Sequence, residues 1–266
     1  MPKSTTHRPS KFKELRDGTI RLFGIPGLPE IQAGDNLPKL IVDAARAARI
    51  VFKSRDILVI TQKIVSKSEG RIVQLSTLTP SADALSLATT VQNDPRMIEL
   101  ILRESRRIVR KGPRALIVET HLGFVCANAG VDRSNVPGDD AVTLLPKDPD
   151  RSARRLAAGL GKRTGKRLSV IISDTFGRPW RLGLTNVAIG AAGVPALLDL
   201  RGTKDRSAKS LHATILAVAD ELAAAAGLAM GKTAGLPVVV VRGYRYRPVR
   251  QTAASIIRPA HEDLFR

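Results

Sequence analysis

Apolar residues in this chain gather in short β-branched runs, separated by stretches in which apolar positions recur every three or four residues. Residues 56–60 (DILVI), 114–120 (RALIVET), 168–172 (LSVII) and 237–242 (PVVVVR) are near-continuous runs bounded by polar or turn residues. That is the pattern of strands covered on both faces. Residues 124–127 (FVCA) add a strand after a turn at His121, Leu122 and Gly123, and residues 21–31 read as a strand breaking into a Pro/Gly loop. Asp35 is placed to cap a helix with Leu37, Leu40, Ile41, Ala44, Ala45 and Ala48 on one face. Asp94-Pro95 opens a second helix through Met97, Leu100, Ile101, Glu104 and Ile108, with Arg103, Arg106, Arg107 and Arg110 as its solvated face. Asp148-Pro149 opens a third, through Arg154, Leu156 and Leu160 to a turn over 159–166, and a long helix is expected over about 207–230, closed by Gly231. Strands and helices alternate without a linker, which predicts one α/β or α+β unit divisible into two lobes. The expected layout is a basic, flexible tail over 1–20, a single domain over 21–250 and a C-terminal tail over 251–266.

At 266 residues and 43% hydrophobic content the chain can build a core without staples. Its one cysteine, Cys126, has no internal partner and no zinc-type neighbours, so a reducing cytoplasm is the expected location. No signal-type apolar core precedes Ile20, and the most apolar long segment, 211–230, carries Asp220 and Glu221 at its centre, so no membrane span is expected. Charge changes the picture more. With 43 Lys+Arg against 24 Asp+Glu the net charge is +19, which attracts polyanions of every kind. The basic residues are spread over the chain, however, and only 3% of residues are aromatic, with no base-stacking pattern. Nucleic acid is therefore disfavoured against a phosphorylated nucleotide with an anionic small substrate.

Candidate chemistry lies behind three of the strands. After 168–172 come Ser173, Asp174 and Thr175, whose carboxylate and hydroxyl are ligands for a hard divalent cation, then Arg178 and Arg181, which suit phosphate or carboxylate oxygens. The alternative has Asp174 capping a helix and Trp180 in the core. After 56–60 come Gln62, Lys63 and Lys67, two lysines able to meet phosphate as point charges or to stay at the surface. After 124–127 come Gly130, Asp132 and Asn135, a ligand cluster or a structural turn. His121 lacks a second histidine at ligand spacing. Residues 227–233 (GLAMGKT) imitate a P-loop, but only three residues separate the glycines and the segment closes a helix instead of opening one.

Read together, residues 24–31 (GIPGLPEI), 62–70 (QKIVSKSEG), 124–135 (FVCANAGVDRSN), 144–150 (LLPKDPD) and 172–181 (ISDTFGRPWR) closely resemble the coenzyme F-420 glutamate ligase family, in order, over about residues 21 to 243. The resemblance implies an α+β fold with mixed sheets, packed helices and two lobes, forming homodimers. It implies GTP as co-substrate, two divalent ions (Mn²⁺ or Mg²⁺), and L-glutamate joined by an amide bond to the carboxylate of an anionic deazaflavin precursor through an acyl phosphate. Further γ-linked glutamates can follow. By the same resemblance Leu28, Pro29, Glu30, Ile31, Gln62, Lys67 and Asn135 correspond to nucleotide-binding positions, Asp132 and Asp174 to ligands of one metal, and Thr175 to a ligand of the second. Two departures concern the acceptor: Leu184-Thr185-Asn186 replaces the usual Gln-Thr-Asp, and Lys232 stands where some relatives are acidic. They keep open a pterin or folate acceptor, and a non-catalytic basic nucleotide- or nucleic-acid-binding protein on the same scaffold.

Overall fold

The computed structural model describes residues 18–134, 138, 140–231 and 234–263. The predicted basic tail up to Asp17, Asn135 and Lys232 fall outside the described residues. In chain order the strands are β1 (Arg21–Gly24), β2 (Ile57–Thr61), β3 (Ile72–Gln74), β4 (Ser105–Gly112), β5 (Ala115–Thr120), β6 (Val125–Ala127), β7 (Ala141–Thr143), β8 (Ser169–Arg178), β9 (Arg181–Ala192), β10 (Leu198–Asp199), β11 (Ile215–Leu216) and β12 (Val238–Arg242). The α-helices are α1 (Leu37–Ala47), α2 (Gln62–Ser68), α3 (Ala82–Val91), α4 (Pro95–Arg103), α5 (Pro149–Thr164) and α6 (Val218–Met230). The fold is α+β, and no helix among the described residues is long and apolar enough to cross a membrane.

Three of the β-branched runs meet in one five-stranded mixed sheet, ordered β1-β12-β2-β8-β9. β2 and β8 are parallel; the other neighbours are antiparallel. Leu58 and Ile60 of β2 pack with α1, α2 and α5 on one face, while Ile57 and Val59 pack with α6 on the other. Covering both faces is what requires an uninterrupted apolar strand. The fourth run, β5, is the centre of a separate sheet, β4-β5-β6, which shares a second cluster with α3 and α4. Beyond β12 the chain lies against the α6 face, where Tyr246 and Ala253 are buried and the Asp150 carboxylate accepts the Ala191 and Ala253 N–H groups, each at 2.8 Å.

Several boundaries differ from the sequence reading. The helix opened by Asp94 stops at Arg103, and Ile108 lies on β4. Its arginines stay exposed as expected, but Arg106, Arg107 and Arg110 lie on β4 and not on a helix, and Arg106 and Arg107 also pair with the buried Glu119 of β5 at 3.2 and 2.8 Å. A buried carboxylate needs such partners, and strand pairing supplies them where a continued helix could not. The predicted helix over 207–230 is confined to α6, because the Asp205 carboxylate accepts the Ser207 and Lys209 N–H groups and holds a turn. Helix α5 runs past Gly159 to a left-handed Gly165, since a Cβ at Gly159 would stand 2.7 Å from Pro38 of α1 and glycine allows the two helices to approach. The cap of α1 is Asn36, whose side chain accepts the Lys39 N–H, while Asp35 accepts from Gln32. Finally, the strand expected over 168–172 continues to Arg178 and returns as β9 in a long hairpin. Trp180, at its tip, has a positive φ and is 80% exposed, so it is no core residue.

Candidate active site

Parallel pairing of β2 with β8 sets Thr61 opposite Ser173, so the chain leaves β2 into α2 beside Asp174 and Thr175. Side chains alternate along a strand, and β8 follows the rule through this stretch. Ile172 and Phe176 belong to the α1/α5 side, and Val187, the cross-strand neighbour of Asp174, packs there too. Thr175 faces the α6 side. Its hydroxyl donates to Asn186 Oδ1 at 3.0 Å, and the Asn186 amide lies 3.8 Å from the Met230 sulfur. Asp174 and Thr175 therefore open on opposite faces of the hairpin. Asp174 looks toward β6, where burial, aided by the Asp174 charge, pushes the Cys126 thiol up to about 12. Phe124, ahead of β6, meets Phe176 edge to face with centroids 6.3 Å apart and closes that side. Ser173 carries the one buried side-chain oxygen without a hydrogen-bond partner among the described residues.

Helix α2 contributes the basic groups. Lys63 Nζ donates to Asp132 Oδ2 at 2.8 Å and also to Ser134 Oγ. Asp132 is held by paired backbone bonds to Thr143, and its Oδ1 accepts the Ser134 N–H at 2.7 Å. Burial raises the Asp132 carboxyl, but the bonds from Lys63 and Ser134 outweigh it and hold the group below its ordinary value. One turn further on, Lys67 is buried at 4% exposure and forms an ion pair with Glu30 of the loop after β1. That loop is pinned by Ile31, which is buried in the core with Ile25. Pro29 and Glu30 are exposed and Leu28 is half-buried, so of the four predicted loop residues Ile31 can offer a ligand only its backbone. The Gln62 carboxamide is buried and accepts from Ser66 at 2.8 Å within α2. Lys63, which the sequence offered only as a lysine able to meet phosphate or to stay at the surface and which was not among the nucleotide or metal positions, is the residue that touches Asp132; its place behind a buried strand was the available signal.

The donor set fits a hard divalent cation. Among the described residues no three His, Cys, Asp or Glu side chains form a cage. Asp132 and Asp174 instead offer carboxylate oxygens, which suits an ion that takes one or two carboxylates and fills its shell with phosphate and water. The Lys63 ammonium on Asp132 is already a cation in such a place. On the other face Thr175 and Asn186 supply neutral oxygens only. A separate cavity of about 330 Å³ lies beyond the end of α2, between Arg71, Glu104, Thr120, His121 and Lys147. Its Arg71 is engaged with Glu104 at 2.7 Å and with the Leu145 carbonyl.

Residues 27–243 match the family model described as F420-0:Gamma-glutamyl ligase. Among curated proteins the chain is similar to the coenzyme F420:L-glutamate ligase of Methanothermobacter thermautotrophicus, with 45% identity over 250 residues covering 93% of this chain and 99% of the relative. The ligases of the same name from Methanopyrus kandleri and Methanocaldococcus jannaschii are 44% and 41% identical, over 93% and 96% of this chain and 98% and 99% of their own.

Proposed function

This chain belongs to the F420-0:gamma-glutamyl ligase family, and on that premise we propose that it joins L-glutamate to the carboxylate of a coenzyme F420 precursor, using GTP and divalent metal. The observation that carries the proposal is the meeting of the α2 lysines with the carboxylates of two separate segments, next to the strand end that bears Asp174. Lys63 and Lys67 lie beside Asp132, Glu30 and the strand end bearing Asp174. Such a cluster has matched opposite charges that a metal-bound triphosphate can exchange.

In the proposed reaction an acceptor carboxylate oxygen bonds to the γ-phosphorus, and the bond from that phosphorus to the β–γ bridging oxygen breaks, releasing GDP. The glutamate amine then attacks the acyl carbon, phosphate leaves, and the amine gives up a proton. Each step needs positioning and charge neutralisation more than a protein nucleophile. Lys67, buried on α2, supplies a fixed positive charge to the phosphates, and Glu30 orients it. Asp132 and Asp174 would hold one divalent ion, and Thr175 would contact a second on the opposite face of β8. Metal bound there supplies charge neutralisation on the phosphoryl oxygens. Cys126 is excluded as a nucleophile, because a buried thiol with a pKa near 12 carries almost no thiolate at neutral pH. We further propose that the enzyme acts in the cytoplasm as a homodimer and can extend a γ-linked glutamate chain.

The test is incubation with GTP, Mn²⁺, L-glutamate and the F420 precursor lacking glutamate, following GDP release and product mass. The expected product gains one glutamyl residue per GDP. GDP release without a mass gain, or a gain only on a pterin or folate acceptor, would overturn the acceptor. No turnover together with salt-sensitive nucleic-acid binding would overturn the ligase reading.

A further inference from the structure

Lys63 sits in the first turn of α2, 18% exposed, with its ammonium on an Asp132 carboxylate that is 43% exposed. Both oxygens of Asp132 are engaged, Oδ2 by Lys63 and by the Ser134 hydroxyl, Oδ1 by the Ser134 amide. A divalent ion approaching Asp132 alone must therefore separate an existing pair. It must also leave a partly buried ammonium beside a like charge, where water screens it poorly. Phosphate oxygens on α2 remove that penalty, since they give Lys63 a new partner as Asp132 passes to the metal. The same exchange read backwards makes metal favour nucleotide, because coupling between two ligands is reciprocal.

We propose that Lys63 is a positioning residue that stands in for the metal on Asp132, so that divalent cation and nucleotide bind cooperatively and neither loads well alone. This rests on the reading of Asp132 as a metal ligand and GTP as co-substrate, and adds to it the order in which the site fills.

Mn²⁺ binding, measured by water-proton relaxation on the wild type and on Lys63→Met, Lys63→Arg and Asp132→Asn, tests it. Each protein is titrated without nucleotide and with saturating GDP, subtracting the binary Mn–GDP signal. Wild type should bind Mn²⁺ roughly tenfold more tightly with GDP, within the usual range of coupling between sites. Lys63→Met should bind Mn²⁺ more tightly than wild type without nucleotide, and GDP should then change its affinity by less than about twofold. Lys63→Arg should restore the wild-type coupling. A Lys63→Met protein with wild-type affinity and wild-type coupling overturns the proposal while leaving the metal site standing. An Asp132→Asn protein that binds Mn²⁺ as wild type does overturns the assignment of Asp132, and this inference with it. Melting curves confirm that each variant is folded.

Discussion

Asp174 and Thr175 are neighbours in sequence and face opposite sides of the sheet. Their substitutions should therefore separate. Asp174→Asn, which keeps the shape of the side chain and removes its charge, is expected to lower kcat on the order of a hundredfold, the usual loss of one transition-state charge contact. Thr175→Val should also remove the hydroxyl that donates to Asn186 and shift the melting temperature, so steady-state kinetics with calorimetry distinguish the two. A sequence reading that ends the strand at Ile172 has no register to apply and treats the pair as converging; once the strand runs to Arg178, alternation alone divides them. Lys63 shows the opposite limit. Its position behind a buried run was legible, but its partner is 69 residues away and arrives only through tertiary folding. Acid stability is also set by single groups. Bonds from Ser81, then from Arg103, hold the Glu99 carboxyl down to about 2. Its contribution to stability is thus complete above the ordinary glutamate value and is lost as pH falls from about 4 toward 2. Glu99→Gln should flatten the urea midpoint across that window while lowering it at neutral pH.

At the scale of elements, packing overrides local pattern in both directions. The runs behind β2, β8 and β12 were legible because burial on both sides leaves few polar positions to blur them, and the run behind β5 by its β-branched residues, although it carries the buried Glu119. Strand β4, with the sequence SRRIVRKG, was not, since four of its residues are basic and its strand character comes from Glu119 on the neighbouring β5. Helix α2 was missed because seven residues are too few for a helical period to stand out. Strand β9 was hidden by its small residues, which are there for a reason. A Cβ on Gly190 would lie 2.4 Å from the Pro149 carbonyl, so α5 rests directly on the strand backbone. Gly190→Ala forces backbone against backbone and should cost about 1 to 3 kcal/mol in urea unfolding, in the range seen for overpacking. Because α5 and β8 share that face, its catalytic effect should appear as a loss of active fraction and not as a changed KM.

For the molecule as a whole, a net charge of +19 is a field that every anionic substrate meets before any contact forms. Raising ionic strength from low to physiological should raise the KM for GTP and leave kcat nearly constant, because screening acts on encounter and on exposed pairs more than on the buried Lys67. Equal effects on both parameters would count against that division. The seclusion of Cys126 has a use of a different kind. It is the only cysteine in the chain, and its thiol is buried and almost wholly protonated at neutral pH. The natural protein is then chemically silent toward maleimides. A Leu182→Cys variant, changed at a hairpin position that is 97% exposed, should take up one equivalent of dye while Cys126 takes none, as intact mass would show. The fold thus comes with its own blank background for fluorescence, and distances from the hairpin tip can be followed through turnover without first removing a native thiol.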